Sequence, residues 1–258
     1  MANKHGDFIW YELMTSDSDG AQRFYADVIG WDVLDSGNTE MDYRLFDAGD
    51  GQIAGMLQLS DEMRANGARP TWLGYIAVDD VDTSVDSIVK AGGSVQMPAT
   101  DIPNVGRLAM LADPQGAPFY VMRGVSDEAS TALASDRPRP GHCAWNELAT
   151  SDPAAGLAFY AEQFGWKRDG KMDLGPIGKY ELLQHGAVIG AIMPKPPEIP
   201  ASGWTFYFRV SEIDAAAERV GSAGGRAVLG PREIPGGDLV LNAVDPQGAS
   251  FALVGARS

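Results

Sequence analysis

Residues 8–31 read FIWYELMTSDSDGAQRFYADVIGW, and residues 143–166 read CAWNELATSDPAAGLAFYAEQFGW, in register without a gap at an offset of 135. Trp10, Glu12, Leu13, Thr15, Ser16, Asp17, Phe24, Tyr25, Ala26, Gly30 and Trp31 recur as Trp145, Glu147, Leu148, Thr150, Ser151, Asp152, Phe159, Tyr160, Ala161, Gly165 and Trp166. So dense a match marks an internal duplication, and the duplication decides the architecture.

Each copy opens with an apolar, aromatic run that stops at Ser-Asp, which reads as a strand. Asp17 then caps a helix whose apolar positions Ala21, Phe24, Tyr25, Val28 and Ile29 fall at helical spacing, and Gly30 ends it. In the second copy Pro153 follows Asp152, the N-cap and first-position proline signature. Three strand candidates follow at 31–35, 41–47 and 52–59, separated by Gly, Asn and Asp clusters that suit tight turns. The unit is strand–helix–strand–strand–strand.

After a loop at 60–70 the unit recurs. A strand at 72–78 leads to a helix started by Asp80 or Asp82 and closed by Gly92-Gly93, then strands at 94–97, 107–111 and 118–122. The distal half is duplicated at an offset of 132: Trp72, Val78, Gly92-Gly93, Ile102-Pro103 and the turn at 113–117 return as Trp204, Val210, Gly224-Gly225, Ile234-Pro235 and 245–249. The change from 135 to 132 puts a three-residue deletion into the loop, where indels are tolerated. The expected domains are 6–124 and 142–256, joined by a linker at 125–141 whose early part suits a short helix and whose end, DRPRPG, suits a stiff extended spacer.

Composition narrows the function classes. The formal charge is −15 over 258 residues with no basic run, which argues against nucleic acid as a partner. Residues 1–7 lack the apolar core of a secretory signal, and no apolar stretch nears the roughly 20 residues that span a bilayer. The single cysteine, Cys143, excludes an internal disulfide and fits a reducing cytoplasm. There is no P-loop and no dinucleotide glycine motif, and three histidines at such positions do not argue a Ser-His-Asp triad.

A strand running into S-D, then F-Y on a helix, then G-W, with a D-P-x-G turn before the last strand, resembles the vicinal oxygen chelate superfamily, the glyoxalase I, bleomycin-resistance and extradiol-dioxygenase group. The motif W-x-E-L-x-T-x-D is similar to that of tandem-domain, glyoxalase-like proteins within it. The resemblance implies an α+β fold: two tandem domains, each with two βαβββ units forming a curved eight-stranded sheet around a cleft. It also implies a small-molecule ligand and, in metal-using members, ligands on the first, fifth and eighth strands of the sheet, where a divalent ion chelates two adjacent substrate oxygens. Those positions fall on Trp10, near Leu73 and on Tyr120 in the first copy, and on Trp145, near Thr205 and on Ala252 in the second. None suits the ion, which takes His, Glu or Gln, so no metal ligand and no cofactor is assigned.

The residues that remain are two carboxylates and a set of aromatics. Glu12 and Glu147 lie two residues beyond Trp10 and Trp145 and share their strand face, the expected cleft. A carboxylate among aromatic rings tends toward a raised pKa and suits acid or base work; the alternative is a hydrogen bond to backbone or to a neighbouring tyrosine that fixes the sheet. Trp10 and Trp145 either stack on a planar ligand or fill the space of a metal site. Tyr75, Tyr120 and Tyr207 line the same cleft or pack in the core. The copies differ inside or beside that cleft, at Tyr120 against Ala252 and at Tyr11 against Asn146. His5, His142 and His185 form no cluster at matched positions and take surface or structural roles. Two readings stand open: a binding protein with a metal-free aromatic cleft in one or both domains, or a lyase, isomerase or oxygenase using Glu12 or Glu147 as base or metal ligand. Monomer and homodimer are both compatible with two domains in one chain.

Overall fold

Asp17 and Asp152 do what their position at the strand–helix junction requires: each turns a carboxylate oxygen back to accept a helix N–H, from Gly20 at 2.9 Å and from Ala155 at 3.0 Å. The computed structural model that contains these junctions describes residues 3–257. Met1 and Ala2, part of the segment read above for a secretory core, lie outside the described residues. The first repeat runs β1 (Phe8–Thr15), α1 (Ser18–Val28), β2 (Asp32–Asp35), β3 (Tyr43–Asp47), β4 (Gln52–Gln58), α2 (Asp61–Ala65), β5 (Thr71–Ala77), α3 (Val81–Lys90), β6 (Ser94–Ile102), β7 (Gly106–Ala112) and β8 (Pro118–Gly124). The second runs β9 (Cys143–Thr150), α4 (Pro153–Phe164), β10 (Lys167–Asp173), β11 (Lys179–His185), β12 (Ala187–Pro194), β13 (Gly203–Arg209), α5 (Ile213–Ser222), β14 (Arg226–Glu233), β15 (Leu239–Val244) and β16 (Ser250–Gly255).

The strands form two open eight-stranded sheets, ordered β2-β3-β4-β1-β5-β8-β7-β6 and β10-β11-β12-β9-β13-β16-β15-β14. This is the α+β architecture expected of two tandem βαβββ pairs. Within each βαβββ unit the helix is the crossover that lets the first strand pair in parallel with the fourth, Tyr11 opposite Ala54 and Tyr75 opposite Tyr120. The loop at 60–70 contains the short helix α2, opened by Ser60, whose hydroxyl accepts from the Met63 N–H. The strand expected at 94–97 extends to Ile102, because β6 pairs with β7 along its whole length despite two register shifts. The early linker forms no helix. Leu133 instead bridges Cys143 in parallel, and Ala132 and Ala134 are buried, so this segment is fastened to the start of β9.

Compactness does not follow the repeats. One compact unit contains the described residues up to Ile9, Leu73–Ser130 and Trp145–Thr205; the other contains Trp10–Trp72, Thr131–Ala144 and the described residues from Phe206 on. Each therefore combines half of one repeat with half of the other. In the second unit, Trp72 Nε1–H donates to the Tyr25 hydroxyl (2.8 Å), which donates to Asp245 Oδ2 (3.0 Å). Asp245 Oδ1 accepts from the backbone N–H groups of Gln247, Gly248 and Ala249, the turn formed by the D-P-x-G motif. In the first unit, Trp204 donates to Tyr160 (3.2 Å) and Tyr160 to Asp113 (3.1 Å), whose other oxygen accepts from Gln115 and Ala117.

Burial, followed by the adjacent carboxylate, pushes both tyrosine hydroxyls well above their ordinary range. Burial also raises Asp113 and Asp245 despite the N–H groups that favour their ionised forms. The glycine–tryptophan motif serves the same end. Trp31 Nε1–H donates to the Gly141 carbonyl (2.7 Å) in one unit, and Trp166 donates to the Gly6 carbonyl (2.8 Å) in the other. The F-Y, G-W and D-P-x-G motifs, read along the chain as repeat markers, are thus the residues that bind half of one repeat to half of the other.

Candidate functional site

Two positions of the opening motif lie on a different strand face from those packed residues. Trp10 is partly exposed and Glu12, two residues on, is buried at 4 % exposure, whereas Tyr11 between them is fully buried against Phe206 and Phe208. Strand alternation accounts for the split. It also moves the Tyr11/Asn146 difference away from the face of Trp10 and Trp145: Asn146 is fully buried and its amide donates to the Ile189 carbonyl at 2.8 Å.

Trp10 Nε1–H donates to the hydroxyl of Tyr43, the first residue of β3, at 3.2 Å. Tyr43 reaches there because Gly55 on β4, opposite Glu12 in the sheet register, leaves room: a Cβ at residue 55 would lie 2.0 Å from the tyrosine oxygen. A hollow of about 350 Å³ borders Tyr43, with Val33, Leu34, Met41 and Arg44 in its lining. Arg44 is not available to an anion there, since Asp42 and Asp19 each hold it at 2.8 Å.

The second repeat builds the counterpart more tightly. Trp145 Nε1–H donates to the Tyr180 hydroxyl (2.7 Å), which donates to Glu147 Oε2 (2.7 Å). The Trp145 and Tyr180 rings lie nearly parallel, 6° apart with centroids 6.5 Å apart. This is the arrangement named above as the structural alternative for the glutamate, a hydrogen bond from a neighbouring tyrosine, and it also presents a half-buried carboxylate beside two ring faces.

The remaining candidates separate by repeat. Tyr75 and Tyr120 are register partners on β5 and β8 and stack at 4.2 Å and 17°, both buried at 4 % exposure. Tyr207 faces Ala252 in the matching register, where Tyr75 faces a ring, and its hydroxyl accepts from the Asn242 amide at 3.4 Å. Tyr43, Tyr180 and Asn242 are the residues that sequence reasoning passed over. Tyr43 and Tyr180 stand two residues out of step with the 135 offset, and an aromatic at the start of the third strand of each first unit was the only available signal.

The histidines take structural places. His5 Nε2 meets the Gln163 carbonyl at 2.8 Å, His142 is fully buried, and His185 faces Asp7. Cys143 is a buried free thiol. Among the described residues no three His, Cys, Asp or Glu side chains converge as metal ligands. The family's ligand positions carry indole, aliphatic, phenol and hydroxyl side chains, which do not fit a divalent ion. Among the described residues no helix is long and apolar enough to cross a membrane.

The fold and these strand-borne side chains define a class: tandem βαβββ pairs with an aromatic–carboxylate group on the first strand of each. The family model for the Glyoxalase/Bleomycin resistance protein/Dioxygenase superfamily matches residues 8–121 and again 139–253, and the chain belongs to that superfamily. It is 34 % identical over 257 residues to "Putative glyoxylase CFP32" of Mycobacterium tuberculosis, covering 95 % of this chain and 93 % of the relative. It is 28 % identical to the anthracycline biosynthesis protein DnrV of Streptomyces peucetius, covering 96 % and 92 %. Among solved structures it resembles the Mn(II)-bound glyoxalase of Novosphingobium aromaticivorans (TM-score 0.64, 20 % identity, 100 % of this chain and 84 % of that one). It also resembles homoprotocatechuate 2,3-dioxygenase of B. fuscum (TM-score 0.67, 16 % identity, 100 % and 73 %). At those identities the structural likeness establishes the fold alone.

Proposed function

We propose that the chain binds a small, flat, aromatic organic molecule at the groups built on Trp10 and Trp145, without a divalent metal. The observation that carries this reading is the Trp145–Tyr180–Glu147 chain of 2.7 Å hydrogen bonds, which fixes two parallel ring faces beside a carboxylate. Pre-set aromatic faces bind planar ligands at low entropic cost, and a carboxylate among them supplies orientation. A relative named for anthracycline biosynthesis supports a planar, fused-ring ligand class. Tyr75, Tyr120 and Tyr207 are assigned as further ligand contacts, within domains taken as 6–124 and 142–256. The partner is a small molecule rather than nucleic acid, in keeping with the charge of −15, and the single cysteine suits a cytoplasmic monomer or homodimer.

A second reading, an enzyme of the lyase, isomerase or oxygenase type, is favoured by one feature. Glu147 accepts a short hydrogen bond from the Tyr180 phenol at Oε2, a setting that suits a carboxylate exchanging a proton with a bound substrate, and Glu12 occupies the matching position. A relative named as a glyoxylase points the same way.

Titration of tryptophan fluorescence with planar aromatic metabolites tests the first reading. The response is expected to fall in Trp10→Ala and in Trp145→Ala, and an unchanged response in both rejects the site. Metal analysis of the purified protein accompanies it, because near-stoichiometric transition metal would sink the metal-free reading. Turnover that disappears in Glu147→Gln or Glu12→Gln while ligand binding persists would establish the enzyme instead.

A further inference from the structure

Two His–Asp pairs occupy equivalent places in the two compact units, with the residues exchanged. In one unit His142 Nε2 lies 2.8 Å from Asp50 Oδ1, and Nδ1 lies 2.6 Å from the Thr131 carbonyl. In the other, His185 Nε2 lies 3.3 Å from Asp7 Oδ1. At the repeat offset of 135, Asp7 corresponds to His142 and Asp50 to His185. The residue just before the first strand of one repeat thus meets the turn between the third and fourth strands of the other. In the first pair the residue before the strand is His and the turn residue Asp; in the second it is Asp before the strand and His at the turn.

The pairs are charge-complementary only in this combination. The fully buried His142 sets one ring nitrogen against a carbonyl oxygen, which accepts, and the other against the Asp50 carboxyl. Its hydrogen bond to Asp50 holds that carboxyl below the usual range. For Asp7, burial pushes upward, but the His185 contact and the Lys4 N–H outweigh it and leave the carboxyl lowered. Were a repeat to pair with a copy of itself, the first would set Asp7 against Asp50 and the second His142 against His185. Two acceptors, or two rings competing for one proton, would then face each other at a buried or half-buried place, which costs far more than an exposed mismatch.

We propose that these exchanged pairs are a pairing code: they direct each half-repeat to its complement in the other repeat and reject like-with-like association, including with the same repeat of a second copy of this chain. The unlike partner can come from the same chain or a neighbouring one; only the like combination is excluded.

The full-length chain tests this directly, because single substitutions create each forbidden pair within it. Asp7→His gives His–His, His185→Asp gives Asp–Asp, and the double variant restores a complementary pair in the sense already present at His142–Asp50. The singles are expected to lower the melting temperature, Asp–Asp by roughly 5 °C or more and His–His by less since two rings can share one proton, and the double variant to recover most of the loss. The double variant also makes the two repeats alike in charge. When refolded at rising concentration, it should therefore give a several-fold larger fraction of dimers and larger species than the native chain, by light scattering on a sizing column. Additive single effects without recovery, or equal size distributions for the native and double-variant chains at every concentration, would overturn the proposal.

Discussion

The buried Trp–Tyr–Asp networks and the aromatic faces have the same duplication behind them and have fared differently. Trp72–Tyr25–Asp245 and Trp204–Tyr160–Asp113 agree residue for residue, with each donor–acceptor step between 2.8 and 3.2 Å. Among the faces, Tyr75 has a stacked Tyr120 where Tyr207 has Ala252, and the Trp10–Tyr43 contact is 3.2 Å where Trp145–Tyr180 is 2.7 Å. A network that leaves a buried acceptor unsatisfied when one member changes is held fixed by that cost. The aromatic faces differ between the repeats while the networks do not, so the two repeats keep one fold with unlike strand faces.

The sharpest way to break this contrast is Tyr120→Ala, which gives the first repeat the residue of the second. It should cost about 3–5 kcal/mol in denaturant unfolding, because a buried aromatic and its stacked partner are lost. Any ligand response assigned to the first repeat should change with it. Next come Asp113→Ala and Asp245→Ala. Each removes the acceptor of a buried tyrosine and of backbone N–H groups, for about 2–4 kcal/mol. The two losses should be equal within error, and a clear inequality would end the claim that the networks are equivalent.

Tyr180→Phe and Tyr43→Phe should cost about 1 kcal/mol or less. The larger effect is expected for Tyr180, whose contact with its tryptophan is the shorter, with a visible change in tryptophan emission from Trp145. The smallest effect is electrostatic. Asp50 titrates lower in the folded chain than in the unfolded one, so it contributes stability above the ordinary carboxylate range and loses it as pH falls through the lowered folded value. Asp50→Asn should flatten the acid-side decline by less than about 1 kcal/mol, since half of that side chain is exposed to solvent. Asp113 and Asp245 oppose this trend. Their raised folded pKa makes their contribution full below the unfolded value and lost as pH rises, so acid melting curves of the two Asp→Ala variants should fall more steeply than that of the native chain.

Much of the fold was legible because the duplication displays it twice: caps at Asp17 and Asp152, the Gly30 and Gly165 stops, and the turns at Asp113 and Asp245 recur at fixed offsets. What the motifs do was not legible. Tyr25 and Asp245 lie 220 residues apart, and nothing local ties a helix tyrosine to a distant turn. The candidate site was half legible. Strand alternation put Trp10 with Glu12 and Trp145 with Glu147. Their tyrosine partners come from another strand, 33 to 35 residues on, where the repeat slips out of step. The exchanged histidines stood in plain view as a mismatch of Asp50 with His185. Read one position at a time such a mismatch looks like drift, and its sense appears only when the Asp7–His142 mismatch is read with it.

The tie from Tyr25 to Asp245 has a consequence for how the chain is made. On a ribosome the first four strands emerge long before the turn at 245–249, so Trp10–Trp72 must wait for almost the entire polypeptide before its aromatic side is covered. Loop closure over such a separation is slow, and an apolar face exposed meanwhile invites a holding chaperone. The Leu73–Ser130 and Trp145–Thr205 segments have a shorter delay. Nascent chains stalled once residue 205 has cleared the ribosome should therefore already protect Trp166 and Trp204 from proteases and leave Trp31 open to them, so that completion of the final strand, rather than of the first domain, is the step at which the molecule becomes safe.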